Sequence, residues 1–424
     1  MPLTRREFLE GTTAMGAFGA TAFQGGQEGQ EGQRGQRGQR GQAGPKAENQ
    51  RTGKKGQVYP DARQKHTDSK SGHAVWQLTN LMPAHSAHMF YPTNRSTTPD
   101  GRWQIYGSDR GGSKGYVDLF KMDLRTGESV QMTESGDVDP TTPDIAYSGK
   151  EVFFFNTSNT FRAINVETLK EREIAHLHVS DDPSIHFGMP VSVSPDDRFV
   201  VLGVQRERSR KYAGDGHFAP WLIKSSLVVL STEDGHERAI FDGLIPLDHV
   251  KWNPKDPNLI FYVNKGPGSS VQRPWLIHAD ATGNRPIFPC INGEQTIHEI
   301  FSDNGKTLYA NIVGGRQPQG MWATNVDGSN ERCVLAGSAI GHSTINPEED
   351  RFVTDDRLGD GSSLWMAKKG STEAKLLCQM QVSWTETRPD GTVHTTGFHP
   401  DGRFLANGQG VTFISGGDLF LVEV

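Results

Sequence analysis

Pro99-Asp100-Gly101-Arg102-Trp103-Gln104-Ile105-Tyr106 opens a phrase that continues through Asp118-Leu119-Phe120-Lys121-Met122-Asp123-Leu124, Arg125-Thr126-Gly127-Glu128 and Ser129-Val130-Gln131-Met132-Thr133. A Pro/Asp/Gly turn leads into a β-rich run, a gap, a second β-rich run and a polar turn. Later turns fall at Pro143-Asp144, Pro195-Asp196-Asp197, Pro254-Lys255-Asp256, Asp303-Asn304-Gly305, Pro347-Glu348-Glu349 and Pro400-Asp401-Gly402, at intervals of 44 to 59 residues. Short strands punctuated at that period build β-propeller blades of four strands each. Seven turns predict an all-β, seven-bladed β-propeller. The last copy supplies Phe404–Asn407 and Asp418–Val424 and is one strand short. Ala74–Thr79, with Val-Trp-Gln-Leu-Thr inside it, resembles the Val130-Gln131-Met132-Thr133 strand. It is expected to close the seventh blade and remove a sheet edge.

Composition bounds what such a chain can do. Of 424 residues, 34% are hydrophobic, including 21 Phe, 8 Trp and 8 Tyr, enough for a sizeable core. Lys+Arg 44 against Asp+Glu 50 leaves a formal charge of -6, which argues against a general nucleic-acid binder. Cys290, Cys333 and Cys378 are too few and too scattered for a disulfide framework. No stretch approaches the ~18 apolar residues of a membrane span, so no stable membrane insertion is expected.

The N-terminal region reads as an address followed by a tether. Arg5-Arg6 precedes a mildly apolar Gly/Ala-rich run ending in Ala20-Thr21-Ala22, the pattern of a Tat-type export signal over residues 1–22. Residues 23–57, rich in Gln, Gly and Arg, have little to bury and are expected to be a disordered linker. The propeller domain is then residues 58–424, in a protein exported to the periplasm or outside the cell.

Histidines share a phase in this repeat. His249, His298 and His342 each stand five residues before their turns, and His394 stands six before Pro400. His186 and His88 lie further upstream of theirs. The phase belongs to the innermost strand of each blade, so equivalent positions converge on the central channel at one face. Clustered imidazoles suit metal binding or proton transfer near neutral pH. The competing account is a structural histidine repeated at blade starts.

The pattern resembles the oligogalacturonate lyases, seven-bladed propellers that cleave short pectic oligouronides. The likeness spans about residues 74–424. It rests on His88-Met89-Phe90-Tyr91 before Pro99-Asp100-Gly101; Asp248-His249 leading to Asn253-Pro254; and Gly266-Pro267 followed by Arg273-Pro274-Trp275. Ile297-His298-Glu299, Gly341-His342 and Ser383-Trp384 continue it in order. The resemblance implies that His249 is the base of a β-elimination and that His298 is a metal ligand. The family's Gln-x-x-His-x-His segment is altered: His394 fits one histidine position with a one-residue gap, the second becomes Thr, and the glutamine is absent.

Eliminating across C4–C5 of a uronate needs a base for the C5 proton, a charge to neutralise the carboxylate, and protonation of the leaving O4. A neutral histidine suits the first task, and His249 is expected to perform it. A divalent metal, Mn2+ by family resemblance, is expected on His298 and His394, with His342 as a further ligand. Tyr91 or His88 is the candidate proton donor. Arg273 is the candidate carboxylate fork, with stacking on Trp275 as its structural alternative. Lys224 is the cation nearest to a missing family arginine, and with His186 it completes the expected substrate contacts. The partner is an oligouronide substrate. A lyase for another uronic-acid glycan, or a non-catalytic TolB-like propeller that binds a protein or ligand, are the alternative readings.

Overall fold

Glu151-Val152-Phe153-Phe154-Phe155 illustrates how this chain builds a blade. Successive side chains of a strand face opposite ways. Val152 and Phe154 enter the apolar cluster shared with blade 1, whereas Phe153 and Phe155 enter the one shared with blade 3. A strand buried on both faces reads as a continuous apolar run. Each such phenylalanine contributes roughly 1.5–3 kcal/mol by leaving water. Seven apolar clusters lie between successive blades around the ring, the last joining blade 7 to blade 1.

The computed structural model describes residues 50–177, 187–208, 223–266, 272–290, 293–337, 341–355, 363–371, 373–379, 384–387, 393–396 and 400–424. The expected export signal, most of the linker and His186 lie outside them. The described residues form seven blades and no helix. The inner strands are Ala87–His88, Asp144–Ile145, Phe187–Val193, Leu247–Trp252, Gln295–Phe301, Ser343–Ile345 and Arg403–Phe404, with the later strands of each blade following outward.

The ring closes as its repeat predicts. Ala74–Gln77 pairs antiparallel with Asp418–Glu423, matching Val75 with Val422 and Gln77 with Phe420. Gln64–Thr67 adds a fifth strand outside it, and Val58–Tyr59 edges blade 1 by pairing with Ser129 and Val130. One upstream segment therefore stitches blade 1 to blade 7. The packed chain also reaches further upstream than composition implies. Thr52 and Gly53 donate to the Gly111 carbonyl, Gly56 donates to that of Gln131, and Arg51 pairs with the buried Asp118 at 2.7 Å. A Cβ at position 53 would come within 2.3 Å of Gln131 Oε1, so a larger residue there would displace that buried amide.

Two turns differ from their expected positions. Pro143-Asp144 does not turn the chain: Asp144–Ile145 is the inner strand of blade 2, and the turn follows at Ala146–Gly149. In blade 7, Pro400-Asp401-Gly402 precedes the inner strand, and the turn is Leu405-Ala406-Asn407-Gly408. The second strand is accordingly Gly410–Ser415, not Phe404–Asn407. In both blades the turn-forming phrase lies at or before the inner strand rather than after it, and a nearby glycine in the left-handed region takes the turn instead: Gly149 at φ 73° and Gly408 at φ 65°.

Candidate active site

Every blade has the same anchor, the backbone N–H that closes its first turn: Thr98, Ala146, Ser194, Asn253, Ser302, Asn346 and Leu405. Four residues upstream of these the chain reads Asn94, Thr142, Pro190, His249, His298, His342 and Asp401. Three consecutive blades thus present an imidazole at one ring position, and the fourth presents a carboxylate.

Strand irregularities direct these side chains. In blade 4 the pairing jumps from Asp248–Val263 to Lys251–Phe261, leaving His249 and Val250 opposite a single residue. Blade 5 repeats this from Ile297–Asn311 to Ile300–Tyr309, around His298 and Glu299. Such a bulge bends a strand and re-aims one side chain. His249 has φ 45°, His298 φ 56° and Asp401 φ 52°, all left-handed. His and Asp tolerate that region better than most residues.

Four side chains from four blades meet at the channel. The Tyr91 ring lies 5.1 Å from that of His249 and 6.3 Å from that of His342, centroid to centroid. The His342 and His298 rings meet edge to face at 4.3 Å. Asp248 accepts the His249 backbone N–H at 2.8 Å and the Lys265 ammonium at 2.6 Å, with His249 Nδ1 3.9 Å from its carboxylate. Asn311 bridges the His298 ring at 3.3 Å and the Gly341 carbonyl at 2.6 Å. His342 Nδ1 lies 2.6 Å from Asp401 Oδ1 and 3.9 Å from Asp355 Oδ2.

Tyr91 reaches this group because its segment crosses the channel. Arg403 donates to the carbonyls of Phe90 and Tyr91 from blade 7. Asn94 donates to Pro143 and Val191 carbonyls of blades 2 and 3 and accepts from Lys251 of blade 4 at 3.1 Å. Asp144, fully buried, lies 3.6 Å from Lys251 and 3.3 Å from Arg95. Burial pulls the Lys251 ammonium down to about 8, with Asp144 opposing. Burial likewise lowers the Arg403 guanidinium to about 10.

Of the residues expected from sequence, His249, His298, His342 and Tyr91 come together. His88 stays in blade 1, its Nε2 3.1 Å from Ser86 Oγ, and burial lowers its basicity. Arg273 is buried in an ion pair with Glu299 of blade 5, Nε to Oε1 3.1 Å, so part of its fork is spent inside the protein. Lys224 is exposed on the Ile223–Ser231 strand of blade 3. His394 sits on Val393–Thr396, which pairs with Trp384–Thr387 in a separate two-stranded sheet. Its side chain lies outside the described residues. The blade-7 counterpart of the histidines is Asp401. Counting back from Asn407-Gly408 rather than Pro400-Asp401-Gly402 would have exposed it in the sequence.

A family model described as oligogalacturonate lyase matches residues 53–317, more than half of the chain. The chain belongs to the oligogalacturonate lyase family. It is a lyase-like enzyme built on that family's seven-bladed fold. An oligogalacturonate lyase solved in complex with manganese superposes with a TM-score of 0.76 at 18% identity, over 88% of this chain and 98% of its own. The oligogalacturonate lyase of Vibrio parahaemolyticus gives 0.75 at 20%, over 87% and 98%. Hydrazine synthase of Kuenenia stuttgartiensis gives 0.50 at 12%, over 79% and 96%, and such likenesses speak to fold alone. No curated protein is a detectable sequence relative.

Proposed function

We propose that this family member cleaves short uronate oligosaccharides of the oligogalacturonide type by β-elimination, with His249 as the base. The observation that carries the reading is the convergence of His249, Tyr91, His342 and His298 at one channel site. His249 takes the C5 proton, the electron pair closes C4=C5, and the C4–O4 bond breaks toward O4. Tyr91 is assigned the proton that O4 needs, since its ring lies beside His249 whereas His88 is bonded within blade 1. The Asp248 carboxylate fixes the His249 backbone, and the bulge aims the ring inward.

The donors on the His298 side suit a divalent cation: imidazole nitrogen and carboxylate oxygen gather there within reach of one ion. When bound, such a cation would neutralise the uronate carboxylate and lower the cost of charge developing next to C5. The manganese in the solved relative supports a divalent ion in this role. Export through the twin-arginine route is part of the proposal. Replacing Arg5 and Arg6 by lysine should leave the chain in the cytoplasm.

The test is incubation with a panel of uronate oligosaccharides, galacturonate oligomers included, with and without added divalent metal. Ultraviolet absorbance of the conjugated C4=C5 product is the readout. A rise identifies the elimination and the sugar. No rise with folded, metal-supplied protein on any substrate rejects the reading.

A further inference from the structure

We infer that this chain seats its divalent cation on His342, Asp355 and Asp401, one imidazole and two carboxylates, in place of a set built from last-blade histidines. The inference rests on the lyase reading for its role and is tested apart from it. Each of the three side chains offers a ligand atom within 4.8 Å of the others. His342 Nδ1 stands 2.6 Å from Asp401 and 3.9 Å from Asp355, and the His298 ring packs edge to face against the His342 ring, centroids 4.3 Å apart.

The backbone is arranged to hold these donors. Asp355 ends the Arg351–Asp355 strand, and its main chain exchanges hydrogen bonds with Gly341 and His342. Its Oδ1 accepts the His342 N–H at 2.7 Å. A Cβ at position 341 would come within 1.7 Å of Asp355 Oδ1, so glycine is what lets the carboxylate lie there. Asp401 occupies the blade-7 counterpart of the histidine position with the same left-handed backbone. Its carboxylate thus arrives by the ring symmetry that delivers the imidazoles. The substitution changes the chemistry of the seat. Two carboxylates supply hard oxygen donors and two negative charges, a combination suited to Mn2+, Mg2+ or Ca2+ more than an all-imidazole set.

The experiment uses full-length, chelator-stripped protein titrated with MnCl2, with free Mn2+ followed by electron paramagnetic resonance. Wild type should bind one Mn2+ per chain. Asp401→Asn should weaken binding by about 10-fold or more and, since asparagine also tolerates the left-handed backbone at 401, should melt like wild type without metal; Asp401→Glu should recover part of the binding. Asp355→Asn should weaken binding too, but it also disturbs the His342 turn, so the half-exposed Asp401 carries the decision. Wild-type affinity in Asp401→Asn, or no Mn2+ binding by wild type, overturns the seat. Protein that makes the unsaturated product yet binds Mn2+ independently of Asp401 fails this inference alone. Protein that binds one Mn2+ through Asp401 but eliminates no uronate fails the lyase reading alone.

Discussion

The ring of Tyr91, carried by the segment that crosses the channel from blade 1, lies 5.1 Å from the imidazole of His249 on the bulged inner strand of blade 4, tilted by 51°. Arg403 and Asn94 pin that crossing segment to blades 7, 2, 3 and 4. In the proposed elimination, this phenol and imidazole would act on two neighbouring atoms of one sugar ring.

His249→Asn should lower turnover by about 10²–10⁴-fold, the usual contribution of a general base. Asparagine tolerates the left-handed backbone at 249 better than alanine, so the fold is kept. The check is absorbance of the unsaturated product beside a circular dichroism spectrum. Near-normal turnover in the folded variant would remove His249 as the base.

Tyr91→Phe keeps the ring and removes the hydroxyl. Turnover should fall on the order of 10²-fold while KM moves little, because the proton is needed only as O4 leaves. A rise in KM at unchanged kcat would make Tyr91 a binding residue.

Gly341→Ala drives a methyl into the Asp355 carboxylate. Destabilisation of about 1–3 kcal/mol is expected, the range for overpacking a tight site. Urea denaturation measures it. An alanine variant as stable as wild type would mean that the 341–355 contact is loose.

Arg273→Met removes the guanidinium that faces the buried Glu299 carboxylate and should cost about 3–5 kcal/mol, whereas replacing both partners by apolar residues should cost much less. Equal losses in single and double variants would show that the pair is not coupled.

Lys251 sets a pH dependence of stability. Its folded value near 8 lies below the unfolded 10.5, so between those values the unfolded chain binds more protons and stability gains as pH rises. Relative to Lys251→Met, wild type should therefore gain stability from pH 8 toward 10, followed by urea titrations at each pH. A constant difference between the two would place the Lys251 ammonium in solvent.

Much of this is legible in the amino-acid sequence. Turn phrases spaced by one blade, and strands such as Glu151–Phe155 that are apolar on both faces, require a ring of blades. The likeness of Ala74–Thr79 to a later strand named the segment that closes it. His249, His298 and His342 were visible because each precedes a regular turn by the same count. Blade 7 escaped because Pro400-Asp401-Gly402 is by composition the better turn, yet a turn is chosen by which register buries the following strand. Gly410–Ser415 buries Val411 and Phe413 only with the turn at Asn407-Gly408.

The amino-acid sequence by itself determined the blade count, the closing strand and the histidine phase, since all three are periodic and local periodicity sets which face each residue shows. Which polar residues meet is not periodic. The pairing of Arg273 with Glu299, the gathering of Asp355 and Asp401 around His342, and the crossing of Tyr91 to His249 depend on bulges and blade contacts between distant parts of the chain. Only closing the ring brings those atoms together, so only the tertiary structure could decide them.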